Sequence, residues 1–570
     1  MLGVLGLCLL AVTRVLGQET GNHPEWDRWC GKVYEAGFPS FDPGGQTLPP
    51  TPVPGPPLLD VQFKPRYSLY LDSEKQGEFI VNAPLSQFFG KAWPDTKPGS
   101  SNKLVFSINL VSDDEPLVKN QVPINTTGNI FTFDLTRLSP SPDPIQVILT
   151  GGPAGDNADP TWTANSTILY LPSKPTGSAT RIDNLNGGLF LANAASHRTF
   201  QPLFPYGFYA SFDGFLANVT PTNTSAIDHY AGLGLNAMTP LTIYADGAPA
   251  LDYMDAIDLK FMYDLREGYK NLTYVSEQAL AARNAEAIFA YWSADEPDGW
   301  QDPFSAPTDA QAVLHALDPY HPVAVVLNCQ DYYFGPYTAG ADIIMEDVYP
   351  IGINSTFSKW GTACNATLGD CGCDNCKGGV WDVPDRLDDL SKYERWLNLW
   401  PKTKFHNPQS FHGEGYWARD PTPEEEWVMV LLAVNHGAKG IISWVWPASD
   451  ILGVAHGELA KVLTVSPVVD FIVGGDTPHA IAVDVPEVDA AYWVVGKKML
   501  ISVVNGGNVA VNQTVTVSLP KKAKGIASVP WGGSTGWTLA GGKLSVPSLP
   551  ALSTALLVLD ISSCSEKRSA

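Results

Sequence analysis

The sequence predicts an α/β fold, a (β/α)8 TIM barrel flanked by an N-terminal and a C-terminal all-β sandwich domain. Two observations support this prediction. From about residue 180, apolar runs alternate with amphipathic stretches, and eight such pairs occupy about 290 residues, a normal length for this barrel. On either side, short alternating runs are separated by turn residues at the spacing of sandwich strands.

Residues 1–17 have the features of a secretory signal peptide. An apolar stretch at 2–12 precedes small residues near Gly17, and it is too short to cross a bilayer. Eight N-x-Ser/Thr sequons agree with secretion, and they lie at Asn125, Asn165, Asn218, Asn223, Asn271, Asn354, Asn365 and Asn512. We therefore expect an extracellular, secreted glycoprotein.

Two segments precede the predicted barrel. Residues 18–58 include a stretch rich in proline and glycine, which predicts an extended linker or a wrapping arm. Residues 59–175 form the predicted first sandwich, which either covers the neighbouring domain or binds carbohydrate. Its strand-like runs lie at 66–71, 78–81, 103–108, 129–134, 145–149 and 166–171.

The predicted barrel covers residues 176–475. Its eight strands are expected at 203–211, 234–240, 259–265, 288–294, 322–328, 342–350, 404–411 and 440–446. Amphipathic helical stretches lie at 275–284, 309–317, 385–399 and 423–436. Thr422 is a predicted N-cap before Pro423 and three glutamates, and Gly437 is a predicted C-cap.

A second small sandwich is predicted over residues 476–570. Its strands are expected at 480–484, 491–495, 499–504, 513–517 and 553–559, with turn signals at Asn505-Gly506-Gly507 and Gly532-Gly533. Nothing in this stretch specifically indicates a sugar-binding role.

The net charge of −23 and the pI near 4.7 argue against nucleic acid and anionic membranes as partners. They suit neutral substrates in an acidic medium. The sequence has no phosphate-binding loop, dinucleotide fingerprint or His-rich metal spacing, so we expect neither a cofactor nor a metal. No G-x-S-x-G nucleophile elbow is predicted between a strand and a helix, which weighs against a serine esterase. The oligomeric state stays open.

Seven of the eight cysteines lie beyond the leader, which contains Cys8. The cluster Cys364, Cys371, Cys373 and Cys376 fits either a zinc site or two local disulfides. Two disulfides are expected in a secreted chain. Cys30 and Cys564 are then candidates for a bond between the chain ends, and Cys329 is a buried thiol.

The stretch from Ile288 to Trp300 is the strongest candidate for chemistry. An apolar run at 288–292 predicts a buried strand, and Asp295 and Glu296 follow it before the turn Pro297-Asp298-Gly299. Acids at the C-terminal end of a barrel strand lie where such barrels build active sites. Burial or a charged neighbour would keep one carboxyl group protonated, as a general acid requires. The alternative is a helix N-cap followed by a first-turn carboxylate.

The motifs Trp292-Ser-Ala-Asp-Glu-Pro-Asp-Gly299 and Gly413-Glu414-Gly415-Tyr416-Trp417 resemble those of clan A glycoside hydrolases, which are retaining (β/α)8 enzymes. The resemblance covers the barrel, about half of the chain. It implies cleavage of O-glycosidic bonds in a polysaccharide or glycan, with Glu296 as acid/base after strand four and Glu414 as nucleophile after strand seven. Because Glu414 lies several residues past that strand, Asp347 after strand six is the substitute candidate and Asp264 a weaker one.

Asp295 departs from the clan A pattern, which usually has Asn before the acid glutamate. An Asp-Glu pair in this place resembles substrate-assisted N-acetylhexosaminidases, where the aspartate orients a 2-acetamido group that acts as the nucleophile. Under that alternative Asp295 and Glu296 are catalytic and Glu414 binds substrate. A non-catalytic carbohydrate-binding or cell-wall protein on a barrel scaffold is the alternative from a different class.

Aromatic side chains near strand ends are candidates for stacking on sugar rings. The expected substrate-binding residues are Asp347, Tyr349, Trp292, Trp417, Trp444 and Trp446. Trp300 lies in an adjoining loop. Tyr209, Asp213 and His412 are hypotheses for bonding sugar hydroxyls.

Overall fold

The structure is a computed structural model that describes residues 47–94, 102–113, 115–154, 161–300, 302–328, 332–353, 378–413, 417–533 and 536–562. The leader, all eight cysteines and Glu414 lie outside these ranges. The predictions of leader cleavage and disulfide pairing, and the role of Glu414, therefore concern residues outside the described part of the chain.

The first β-domain is an antiparallel sandwich. One sheet has the strand order β2-β4-β9 and the other β11-β10-β7-β8, and a core that includes Phe79, Phe106 and Phe133 lies between them. Its strands are β1 (Leu58–Leu59), β2 (Gln62–Pro65), β3 (Tyr70–Leu71), β4 (Gln76–Ala83), β5 (Leu85–Ser86), β6 (Lys91–Ala92), β7 (Lys103–Leu110), β8 (Pro116–Pro123), β9 (Thr126–Asp134), β10 (Ile145–Pro153), β11 (Trp162–Ile168) and β12 (Tyr170–Leu171). A 3-10 turn, Leu135–Arg137, follows β9.

Residues 47–57 cross from the barrel to this sandwich without regular secondary structure. Thr47 is buried, and its Oγ1 accepts a hydrogen bond from the backbone N of Phe334 at 3.3 Å. Six residues later, the backbone N of Val53 donates to the carbonyl of Gln87 at 2.7 Å. The segment therefore touches both domains.

A small antiparallel sheet closes the N-terminal end of the barrel. It comprises β13 (Ala179–Ile182), β14 (Leu189–Ala192) and β15 (Gln201–Leu203). Ile182, Leu189 and Leu203 pack with the barrel interior in one apolar cluster. The predicted first barrel strand, 203–211, therefore begins too early: Leu203 belongs to β15, and the barrel strand starts at Tyr206, after Pro205.

Eight parallel strands form a closed barrel in chain order, which confirms the predicted fold class. The strands are β16 (Tyr206–Ala210), β17 (Ala237–Pro240), β18 (Lys260–Asp264), β19 (Ile288–Asp295), β20 (Val323–Leu327), β21 (Ile343–Val348), β22 (Thr403–Pro408) and β23 (Ala438–Trp446). They are almost wholly buried, as strands covered on both faces must be.

Helices surround the barrel. They are α1 (Ser225–Gly232), α2 (Tyr244–Ala256), α3 (Leu272–Ala282), α4 (Ala306–Leu317), α5 (Phe334–Thr338), α6 (Asp382–Trp396), α7 (Pro423–Asn435), α8 (Asp450–Leu463) and α9 (Val468–Ile472), with a 3-10 turn at Leu216–Asn218. Thr422 and Glu425 form the capping box that starts α7, and Gly437 follows its end with φ +98°. Of the helices in the described ranges, none is sufficiently long and apolar for a membrane span.

The second sandwich packs on the barrel through α7. A five-stranded sheet, β24-β25-β26-β31-β28, places Trp493, Leu500 and Leu556 in the same apolar cluster as α7. Its other face packs on the sheet β27-β30-β29. The strands are β24 (His479–Ala480), β25 (Val488–Val495), β26 (Lys498–Asn505), β27 (Val515–Ser518), β28 (Ala523–Trp531), β29 (Thr538–Ala540), β30 (Lys543–Val546) and β31 (Ser553–Ile561).

Candidate active site

Alternation along the barrel strands determines which side chains face the C-terminal mouth. Met262, Met345 and Phe405 belong to the apolar interior of the barrel. Two residues further along β18, β21 and β22, the inward positions are polar and are occupied by Asp264, Asp347 and Asn407. Polar side chains from separate strands thus meet at the end where barrel enzymes carry their active sites.

Glu296 directly follows β19 in an unusual backbone conformation. Its φ is +46°, in the left-handed region that non-glycine residues rarely adopt. The backbone on both sides is fixed: its N donates to the Val326 carbonyl at 3.0 Å, and its carbonyl accepts from the N of Trp300 at 3.0 Å. Such local strain is found at functional sites, and here it aims the carboxyl group into the mouth.

The Glu296 side chain is hydrogen-bonded to Asp347 on β21. Burial raises the pKa of Glu296 well above its ordinary value, and the charges of Asp347 and Asp295 raise it further. Burial also raises the pKa of Asp347, which the hydrogen bonds it accepts partly offset. Glu296 is therefore the member of the pair that holds the proton and donates it to Asp347.

Two neighbours, Asn407 and Tyr349, hold Asp347 in place as an acceptor. Asn407 Nδ2 donates to Asp347 Oδ1 at 3.0 Å and to the hydroxyl of Tyr209 at 3.0 Å. Tyr349 supplies a further hydrogen bond to Asp347. These donors favour the ionised form of Asp347, which in turn favours the protonated form of Glu296.

Asp295 lies beside Arg266, the residue two positions after Asp264. Arg266 Nη1 is 3.9 Å from Asp295 Oδ2, and Arg266 Nε is 3.4 Å from Asp264 Oδ2. Burial nevertheless raises the pKa of Asp264 to about 7. Desolvation and the charge of Asp347 raise the pKa of Asp295 to about 8, although 32% of its side chain is exposed. One guanidinium therefore does not neutralise this end of the barrel.

Aromatic rings form the base beneath Arg266. Its guanidinium carbon lies 5.0 Å from the ring centre of Trp292 and 5.9 Å from that of Trp444. Tyr209 packs against both rings, with centroid distances of 4.7 and 5.4 Å. Trp444 is half-buried, whereas Trp292 has no exposed surface.

Burial corrects part of the predicted substrate-binding set. Trp292 is fully buried, and Trp446 is 6% exposed, packed against Phe208 and Tyr230 on the helix side of the barrel. The prediction that these two rings stack on a sugar is wrong, because neither presents a face to solvent. Trp417 is 7% exposed, and its Nε1 donates to the carbonyl of Tyr349 at 2.9 Å, so it supports Tyr349 instead.

The remaining candidates lie around the rim. Tyr349 is half-buried and packs edge-on against Phe411. His412 is exposed and bonds Asp420, while Asp213 and Trp300 are exposed. Their predicted contacts with substrate stay predictions.

Two residues of the site were missed in the sequence. Arg266 follows strand three, and Asn407 lies inside strand seven, ahead of the predicted nucleophile Glu414. The available signal was alternation: Asn407 stands two positions after Phe405 and therefore faces the same way. Among the described residues, three or more His, Cys, Asp or Glu side chains nowhere converge in a group that could hold a metal ion.

No protein-family model matches the chain, and no curated protein matches it. Similar solved structures include a β-glucuronidase from Ruminococcus gnavus in complex with D-glucuronic acid (TM-score 0.34, 11% identity over 68% of this chain), of which this chain spans 62%. A second is an FMN-binding β-glucuronidase from Facaelibacterium prausnitzii L2-6, with a TM-score of 0.34 and 12% identity, covering 89% of this chain and 71% of that one. A third is a GH2 β-galacturonidase from Eisenbergiella tayi bound to galacturonate, with a TM-score of 0.33 and 14% identity, covering 69% of this chain and 65% of that one. At these values the matches assign neither a reaction nor a substrate.

Because the pKa of Asp295 is raised, replacing its carboxyl group by an amide should stabilise the protein more at high pH than at low pH. Between the ordinary value of 3.8 and about 8, the folded chain keeps a proton that the unfolded chain loses, so rising pH lowers the free energy of unfolding. Asp295→Asn removes this loss. We expect its melting temperature to exceed that of the wild type by more at pH 8 than at pH 4.

The matched control is Glu277→Gln, at an exposed position of α3 away from Asp295. It should change the melting temperature little and equally at both pH values. Equal shifts for Asp295→Asn at pH 4 and pH 8 would show that Asp295 titrates normally.

Proposed function

We propose that this protein is a glycoside hydrolase in which Glu296 is the general acid. The observation that carries the proposal is the hydrogen-bonded pair Glu296–Asp347 at the C-terminal mouth of the barrel. Glycoside cleavage requires a carboxyl group that is still protonated at working pH. Burial and the neighbouring carboxylates supply that condition, and the half-buried face of Trp444 offers a surface for a sugar ring.

In the proposed reaction, Glu296 gives its proton to the glycosidic oxygen as the bond to the anomeric carbon breaks. Asp347 accepts the Glu296 hydrogen bond in the resting state and so orients the acid. Glu296 then takes a proton from the incoming water, whose oxygen bonds to the anomeric carbon and displaces the nucleophile. Repulsion from Asp347 favours this reprotonation, which returns the acid to its starting state. Asn407 and Tyr349 act through Asp347 as positioning residues.

The proposed nucleophile is Glu414. In retaining glycosidases the two carboxyl groups stand about 5–5.5 Å apart, with the sugar between them. A direct hydrogen bond holds Asp347 nearer to Glu296 than that, so Asp347 is better placed to orient the acid than to attack. The described end of strand seven carries amides, Asn407 and Gln409, and Glu414 follows them in the chain.

A second candidate is substrate-assisted hydrolysis of N-acetylhexosaminides. One observation favours it: Asp295 is partly exposed immediately beside the acid, where it could hold an acetamido group of the substrate. Under this mechanism the acetamido oxygen attacks the anomeric carbon, and Asp295 rather than Glu414 is essential.

We also propose that the protein is secreted and glycosylated. The support is the N-terminal leader together with the sequons. The six sequon asparagines in the described residues are all exposed: Asn125, Asn165, Asn218, Asn223, Asn271 and Asn512. Exposure is what an oligosaccharide of this kind requires.

Glu296→Gln should reduce turnover of glycosides with poor leaving groups by about 10²- to 10⁴-fold, because an amide cannot donate the proton. The loss should be much smaller for 2,4-dinitrophenyl glycosides, whose leaving group departs without protonation. Steady-state kinetics on both substrate types measures the ratio. Equal losses on both types would rule out general acid catalysis by Glu296.

The matched control is Glu424→Gln, an exposed glutamate in the first turn of α7, which should retain wild-type kinetics. If a broad panel of glycosides is bound but never cleaved by the wild-type protein, the chain is a carbohydrate-binding protein instead.

Mechanism-based labelling should identify the nucleophile. A 2-fluoro glycoside traps a covalent intermediate, and trypsin separates the candidates into peptides 405–419, with Glu414, and 284–359, with Asp347. We expect the label on 405–419 by mass spectrometry. A label on 284–359 would exclude Glu414 as the nucleophile, while inhibition by a thiazoline with no label would establish the assisted mechanism.

Expression in a eukaryotic host should deliver the protein to the medium with an N-terminus near residue 18. Enzymatic removal of N-glycans should then lower its apparent mass on a gel. Retention in the cell with residues 1–17 intact would contradict the proposal.

A further inference from the structure

The mouth of the barrel contains more carboxyl groups than cations. Asp264, Asp295, Glu296 and Asp347 lie around it, and Arg266 is the one cationic side chain within ion-pair distance of any of them in the described residues. Arg266 is itself shared, since its Nε is also 3.6 Å from Glu267. Four carboxyl groups exceed what an acid and its partner require.

A cavity of about 310 Å³ extends this acidic surface. Asp264 and Arg266 belong both to this cavity and to the candidate active site. The cavity wall also includes Asp246, Glu267, Phe212 and Tyr274. The space therefore offers room for part of a ligand directly beside Asp264, with carboxylates and aromatic faces around it.

Asn407 supplies a second and independent observation. Its side chain is fully buried, and while Nδ2 donates to Asp347 and Tyr209, Oδ1 has no hydrogen-bond partner among the described residues. A buried acceptor without a donor is costly, and a ligand that donates a hydrogen bond would satisfy Asn407 Oδ1.

The site thus combines an excess of carboxyl groups with a buried acceptor that has no donor, and a ligand with positive charge and N–H groups would compensate both. A protonated amine has both, with three N–H donors and no acceptor, and it also interacts favourably with aromatic faces such as Trp444. A sugar hydroxyl brings no charge, and an acetamido group brings one N–H and no charge.

We propose, on the basis of the proposed glycosidase function, that the substrate is a glycoside of an amino sugar whose amine is free and protonated, with Asp295 as its principal contact. Asp295 precedes the acid Glu296 directly, so the amine lies next to the scissile bond, on the carbon beside the anomeric carbon. The cavity at Asp264 then receives a neighbouring part of the same cationic glycan. Binding of the cation also favours ionisation of Asp295 and Asp264, whose pKa values are raised in the empty site.

This proposal also bears on the mechanism. A protonated amine has no oxygen with which to attack the anomeric carbon, so an amino-sugar substrate requires a nucleophile from the protein. Specificity for a free amine therefore favours Glu414 over substrate assistance.

The test compares 4-nitrophenyl glycosides in matched sets that differ only at the carbon beside the anomeric carbon: amine, hydroxyl or acetamide, in both anomers. At pH 5–6 we expect kcat/KM for the amine to exceed that for both others by about tenfold or more, the discrimination that a charge-assisted hydrogen bond provides. Asp295→Asn should reduce the ratio to near one, whereas Glu277→Gln, at an exposed position of α3 away from the mouth, should leave it unchanged.

Equal or better cleavage of the hydroxyl or acetamide substrate would overturn the amine proposal and leave the hydrolase standing. An unchanged ratio in Asp295→Asn would overturn the assignment of the contact.

If no member of the panel is cleaved, the proposed function fails, and calorimetry with free glucosamine, glucose and N-acetylglucosamine decides the binding question. Preferential glucosamine binding with proton release at pH 6–7 would support the acidic site, and equal binding of all three would overturn it. Binding of Ca²⁺ or Mg²⁺ that excludes glucosamine would assign the acidic site to a metal ion and overturn the amine.

Discussion

A hydrogen bond between two carboxyl groups exists only while one of them keeps its proton. The pair Glu296–Asp347 imposes this condition on the catalytic end of the barrel. Asn407 and Tyr349 stabilise the ionised form of Asp347, so the proton belongs on Glu296. A displacement of β21 or β22 that removes these donors would bring the pKa values of Glu296 and Asp347 closer together. The proton would then no longer be confined to Glu296.

The scaffold fixes that geometry through burial on both faces of the strands. Inward residues such as Met345 and Phe405 fill the interior above the β13–β15 sheet, while outward residues such as Tyr263 and Val325 pack against the helices. The C-terminal sandwich adds a further layer behind α7. Because each strand is held from both sides, the polar side chains at the strand ends are held firmly enough for a functional site.

The strands and the acids at their ends were predictable from the sequence. A strand buried on both faces is a continuous apolar run, and an acidic residue directly after such a run stands out from it. Asp295, Glu296 and Asp347 were identified in this way. The bond between Glu296 and Asp347 was not, because β19 and β21 are separated by β20 and only the curvature of the closed barrel brings their ends together. Two tryptophans show the limit of prediction from sequence. Trp444 and Trp446 stand two residues apart on β23, yet Trp444 packs with the barrel interior and Trp446 with the outer cluster, because the strand pairing is irregular at this end.

The charge of the site connects the choice of substrate with the choice of nucleophile. With a neutral sugar Asp264 and Asp295 would share Arg266 as their counterion, and their pKa values would stay raised. A cationic sugar favours the ionised form of Asp295, which is then paired with the ammonium group that it binds. The acidic surface thus selects the amine. It leaves to a protein carboxylate, for which Glu414 is our candidate, the one role that the amine cannot fill.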